Sequence, residues 1–125
     1  MNQREAHILQ TNMIRAMGSH AGFPSLFDNL DKIAFFLKNK DFQIVFANRF
    51  FYERLGFTKE SEIIGKDDLE LFPKPLATKF REDDERVIQT SESMPRMVEL
   101  FLSRQGLPDW FITNKMPVMG LDGKT

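Results

Sequence analysis

An α+β fold is what the pattern of this chain predicts, with antiparallel strands paired through short turns and helices gathered apart from them. Three observations carry it. At Ile44–Phe57 a strand runs straight into a capped helix with no loop between. Two strand pairs lie on either side of a helical middle. Asp122-Gly123 follows an apolar strand, which is the short-range signal of a hairpin.

The junction organises the rest. Ile44, Val45, Phe46 and Ala47 form an apolar run of strand formers. Asn48 is a good N-cap, and Arg49–Leu55 continues as a helix without a breaker. Gly56 suits the left-handed residue just past a helix end. An Asn48 carboxamide that accepts a first-turn N–H fixes the angle between strand and helix.

Upstream, residues 4–17 read as an amphipathic helix with Ala6, Leu9, Met13 and Met17 on its stripe. That stripe either folds back on the domain or pairs with a second copy. Gly18 and Gly22 end it, so residues 1–22 form a helix and linker ahead of a domain at 23–125. His7 and His20 read as surface residues. Pro24 opens a short helix carrying Leu26, Phe27 and Leu30. Ile33–Lys38 and Gln43–Ala47 make a hairpin about Asn39-Lys40-Asp41.

Downstream, Asp67 caps one helical turn that presents Leu69, Leu71 and Phe72, and Pro73 stops it. Pro75–Thr90 is the longest late helix, with Leu76, Phe80, Val87 and Ile88 on its buried stripe. Asp84 falls within that stripe, either at its edge, the favoured reading, or hydrogen-bonded inside. Arg96–Ser103 and Asp109–Met119 are the third and fourth strands, joined through Arg104–Pro108. Phe111, Thr113, Lys115 and Pro117 share one face of the last, opposite Trp110, Ile112, Asn114, Met116 and Val118. Lys115 points either to water or inward. Inward, it needs an acid, because an unpaired buried charge is too unfavourable; Asp68 is the preferred partner and Asp84 the second. The Asp-Gly turn lacks its second arm, so a final strand is expected beyond Thr125.

Composition narrows the functions. At 125 residues, 42% apolar and 28% charged, the chain is expected to be one soluble domain. A net charge of −1 gives no general attraction to nucleic acid. No apolar run approaches the ~20 residues of a membrane span, and the N-terminus lacks a signal peptide's apolar block, so a cytoplasmic location is the simplest reading. With no cysteine, thiol nucleophiles, cysteinyl flavin and thiolate metal sites are excluded. The 13 phenylalanines pack a core or wrap a flat ligand.

The element order, with FANRFFYERLGF, IIGKDDLELFP and the closing WFITNKMPVMGLDGK, resembles the PAS sensor family over about Leu26–Thr125. The resemblance is to a subclass often found ahead of helix-turn-helix outputs in bacterial regulators. It implies a five-stranded antiparallel sheet in the order 2-1-5-4-3, with helices on one face enclosing a small pocket. The fifth strand is the one missing here. Its place between the first and fourth would be a gap of ~10 Å, closed by a neighbouring chain, an exchanged segment or collapse of the sheet. The resemblance also points Phe35 and Leu37, Val45 and Ala47, and Phe51 inward. Leu71, Phe72 and Phe80 would face them from the lid, and Phe111, Thr113 and Lys115 from the fourth strand. An inward Lys115 paired with Asp68 would hold the lid, or yield Asp68's place to a ligand anion.

PAS cofactors leave residue signatures. Haem forms use a histidine near the long helix, but both histidines here precede residue 21, which argues against haem. Photoactive flavin and yellow-protein chromophores need a thiol. Noncovalent flavin stays open without supporting residues, so no cofactor is expected and a small organic ligand, or none, is left. No phosphate loop, Ser/His/Asp grouping or metal spacing appears. The expected role is a non-catalytic sensor of a bacterial signalling protein, dimeric, and controlling an attached helix-turn-helix regulator. Alternatives are a module of a histidine kinase or cyclic-dinucleotide synthase, a dimerisation unit with Ala6–Met17 as its seam, and a small enzyme using the KDDLELF or REDDER carboxylates with Lys115.

Overall fold

The computed structural model describes residues 1–18, 24–28, 30, 32–102 and 106–125. Its elements are α1 (Gln3–Met17), a 3-10 turn (Pro24–Phe27), β1 (Phe36–Lys38), β2 (Ile44–Ala47) and α2 (Arg49–Arg54). A second 3-10 turn (Glu60–Glu62), α3 (Asp68–Leu71), α4 (Lys74–Thr90), β3 (Met94–Leu102) and β4 (Pro108–Lys115) follow. Among the described residues no helix is long and apolar enough to cross a membrane. His20, most of the linker after α1, and Ser103 to Gln105 lie outside the described residues.

Local signals set the helix ends. Asn2 and Glu5 form a reciprocal capping box at α1, and Asp67 and Glu70 form another at α3. Asn48 caps α2, and Gly56 follows with φ +89°, a conformation that glycine adopts without strain. α1 folds back rather than leaving its stripe free for a second copy. Ala6 and Met17 are buried, Leu9 packs on the core, and Gln10 Nε2 donates to Glu60 at 2.9 Å. The expected dimer seam is therefore largely covered by the chain itself.

β1 pairs antiparallel with β2, and β3 with β4, in two separate two-stranded sheets. The 2-1 and 4-3 neighbours of the expected order are thus present, and β1 and β4 do not pair. β1 is shorter than its apolar run, because Ile33–Phe35 is engaged by Asn48 before pairing begins at Phe36↔Ala47. The register then slips between Leu37 and Lys38, which leaves Val45 bulged and lets Ile44, Val45 and Ala47 all be buried. In β3, Pro95 and Arg96 together oppose Asn114; Arg96 has φ +54° and its N–H donates to Asn114 Oδ1 at 3.1 Å. β4 ends at Lys115, four residues before the expected Met119. Pro117, which cannot donate to a ladder, follows, and the chain turns at Gly120–Lys124. Leu121 N–H donates to Ala16 O at 2.9 Å, so this turn docks on the end of α1.

The main core gathers Ile44, Ala47, Phe51, Leu55, Ile63, Ile64, Phe72, Ala77 and Phe80. It lies between β2, α2, the second 3-10 turn and α4, and its open side faces β3 and β4 through Phe101.

Candidate functional site

Between the two sheets and the α3–α4 pair lies a small, narrow chamber. Its wall contains Phe36, Phe51, Phe72, Phe80 and Phe101, and among these rings sit Lys38, Asp68, Glu99 and Lys115. The free space is about 10 Å³, room for a single water. A larger hollow of about 670 Å³, between α1 and Lys59–Ile64, is open to solvent and has none of these buried charges on its wall.

The phenylalanines form a continuous relay. Phe72 meets Phe80 and Phe101 edge-on at 5.1 and 5.5 Å between centroids, and Phe80 stacks on Phe101 at 5.2 Å. Phe101 meets Phe111 edge-on at 5.2 Å, and Phe111 meets Phe50 of α2 at 6.2 Å. Phe36 tilts against Phe51 at 4.9 Å.

Four charged side chains pair in this apolar setting. Lys38 Nζ donates to Asp68 Oδ2 at 2.6 Å and also to Asp84 Oδ2. Lys115 Nζ donates to Asp84 Oδ1 at 2.7 Å and to Phe80 O at 3.4 Å. Each ammonium also stands over a ring, Lys38 at 5.4 Å from Phe36 and Lys115 at 5.5 Å from Phe80. Asp84 therefore bridges β1 and β4, joining by charge two strands that share no backbone bond. Burial raises the Asp68 carboxyl above its ordinary 3.8; attraction and hydrogen bonding to Lys38 oppose that, Asp84 adds to it, and Lys115 opposes it.

Glu99 differs from the other four. It is 6% exposed, and neither carboxylate oxygen has a hydrogen-bond partner among the described residues. β4 places it there: Glu99 pairs with Phe111, whose ring packs edge-on against Phe101 of the chamber wall. Among the described residues no group of three or more His, Asp or Glu side chains is placed to hold a metal ion.

The expected residues distribute as follows. Phe51, Phe72, Phe80 and Lys115 are on the chamber wall. Ala47 and Val45 are buried, Ala47 in the main core, and Leu71 packs against it. Phe111 touches the chamber through Phe101, and Thr113 is half-buried on the same strand face. Phe35 and Leu37 need correction, because β1 presents the opposite face: Phe36 and Lys38 point in, and Phe35 stacks on Phe27 at 4.1 Å. Two further corrections concern charge. Asp84 is inside rather than at an edge, and Lys115 takes Asp84, because Lys38, which the sequence did not single out, takes Asp68. Lys38, Phe36, Glu99 and Phe101 were missed. The usable signal for Glu99 was register, since an inward Phe111 carries its cross-strand partner inward too.

Asn48 braces the chamber's edge. Its Oδ1 accepts from Phe35 N at 3.0 Å and Phe51 N at 3.1 Å, and its Nδ2 donates to Phe27 O at 3.0 Å and Ile33 O at 2.6 Å.

Comparison with known proteins follows the same lines. The family described as the PAS fold matches residues 27–125. Similar solved structures include the Vibrio cholerae VqmA–ligand–DNA complex, with TM-score 0.70 and 27% identity over 80% of this chain and 44% of that one. VqmA bound to DPO is similar at TM-score 0.69 and 27% identity, over 80% and 50%. A V. cholerae VqmA dimer without target DNA, described among LuxR-type receptors, gives TM-score 0.69 and 27% identity over 80% and 45%. This chain thus spans about half the length of those chains or less. Comparison with curated proteins finds no match.

Proposed function

Because the chain belongs to the PAS fold family, we propose that it is the non-catalytic sensing module of a transcription regulator, read out through the arrangement of its chamber. The observation that carries this is the buried ion network. Asp84 holds β1 and β4 together through Lys38 and Lys115, while Lys38 also holds α3 through Asp68. The likeness to ligand- and DNA-bound VqmA supports a small organic ligand, a homodimer and an attached DNA-binding domain.

The chamber has room for one water, whereas small-molecule sites span about 300–1,000 Å³. A ligand therefore enters by displacing a wall. The four-residue α3, tied by the Asp68–Lys38 bond, is the shortest helix in that wall. Its displacement would leave Lys38 held by Asp84 alone, release the tie between β1 and α3 and shift the population of arrangements that an output domain reads. Noncovalent flavin needs far more space than this chamber offers. Acid–base catalysis by the same groups needs room for a substrate, and here Asp68, Asp84 and the two lysines pair with one another beside about 10 Å³ of free space.

The test is thermal denaturation of the full-length protein against a library of small metabolites. At least one should raise the melting temperature of wild type and lose its effect in Asp84→Leu/Lys115→Met. If none does, the sensing role fails.

A further inference from the structure

We infer that the chamber selects a small organic cation carrying N–H donors, a protonated amine, and that Glu99 is the residue that selects it. This rests on the reading of the chamber as a ligand site and goes further by naming the ligand's charge. The chamber and its bracing contain two ammoniums, Lys38 and Lys115, and three carboxylates, Asp68, Asp84 and Glu99. The lysines are satisfied by Asp68 and Asp84, and Glu99 is left with two buried oxygens and no donor among the described residues. A buried acid without a partner is unfavourable, so such a group persists where something else satisfies it. An incoming ammonium supplies the missing positive charge and the N–H donors together.

The walls agree with that choice. Phe72, Phe80 and Phe101 stand beside Glu99 with ring faces and edges turned on one another, and the faces of such rings attract a desolvated cation. The protein already uses this contact twice, placing Lys38 and Lys115 over Phe36 and Phe80. A further cation on α4 that senses Glu99 is Lys79, whose ammonium bonds to Asp83 at 2.7 Å and whose side chain is 58% exposed. It feels the Glu99 charge but gives it no hydrogen bond. An anion would meet Glu99 directly, and a neutral molecule would leave its charge unmatched.

The test uses three probes of one shape, phenethylamine, 2-phenylethanol and phenylacetate, against the full-length protein by calorimetry and thermal shift. Phenethylamine should bind and raise the melting temperature, the other two should not, and Glu99→Gln should weaken amine binding roughly 10- to 100-fold. Glu99→Leu should raise the melting temperature of the free protein, which also shows that the variant folds. If the alcohol or the acid binds and Glu99→Gln leaves that binding unchanged, the cation inference falls while the ligand-site reading stands. If none binds, the cation inference falls, and the ligand-site reading is decided by the metabolite library. A lower melting temperature for Glu99→Leu together with the same loss in Lys79→Met would mean that Lys79 swings in to pair with Glu99, and would overturn the inference.

Discussion

Asn48 and Glu99 are 1% and 6% exposed, close to equal depth, yet the first makes four side-chain hydrogen bonds and the second has no hydrogen-bond partner among the described residues. The partners of Asn48 are backbone groups of three neighbouring segments, and they stay in place as long as the fold does. The charged groups around Glu99 belong to β1, α3, α4 and β4, and they bond to one another rather than to backbone, apart from one contact to Phe80 O. The hinge is thus polar structure that specifies one geometry. The chamber is polar structure with a choice of partners, which is what a sensing site needs.

If that contrast is right, the largest effect comes from the hinge. Asn48→Ala removes its bonds to the N–H groups of Phe35 and Phe51 and to the carbonyls of Phe27 and Ile33. The expected loss is about 4 kcal/mol in chemical denaturation. A loss under about 1 kcal/mol would mean that water serves these groups equally well. No apolar replacement should recover the stability, because the groups that Asn48 serves are backbone and cannot be replaced with it.

The ion network should behave otherwise. Asp84→Ala leaves Lys115 buried without a carboxylate, while Lys38 keeps Asp68. The expected loss is about 3 kcal/mol. Asp84→Leu/Lys115→Met removes both charges and should restore most of it, since well-packed apolar groups often match a buried pair. A double variant no better than Asp84→Ala would show that the pair contributes shape that Leu and Met cannot copy.

The same contrast explains what could be read from the residues. The cap at Asn48, the capping box at Asp67 and the α4 stripe are local, and spacing along the chain reveals them. The face of β1 is not local. Phe35 and Phe36 are both aromatic, and the choice is made by Phe27, which stacks on Phe35, and by the bulge after Leu37. Lys38 finds its acids 30 and 46 residues away, a separation no pattern reports. β3 misleads in the same way, because its apolar pair is the outward one. Val98 is 70% exposed and lies opposite Ile112, while Glu99 and Phe101 turn inward.

The smallest effect, and the finest test of the chamber's electrostatics, concerns Asp68. Burial raises its folded-state pKa above 3.8 despite Lys38. Below that value the carboxyl is neutral in both folded and unfolded chains. As pH climbs past it the unfolded chain ionises first, while the folded chain still holds the proton. Stability present at low pH is therefore lost as pH rises through the folded value. Asp68→Asn has no proton to hold and should lack that decline. Near neutral pH it should lie within about 1 kcal/mol of wild type, because Lys38 keeps Asp84. Denaturation midpoints of both proteins from pH 4 to 7 give the answer. If wild type gains stability relative to the variant as pH rises, the Lys38 attraction outweighs burial, and α3 is latched more tightly than a movable wall should be.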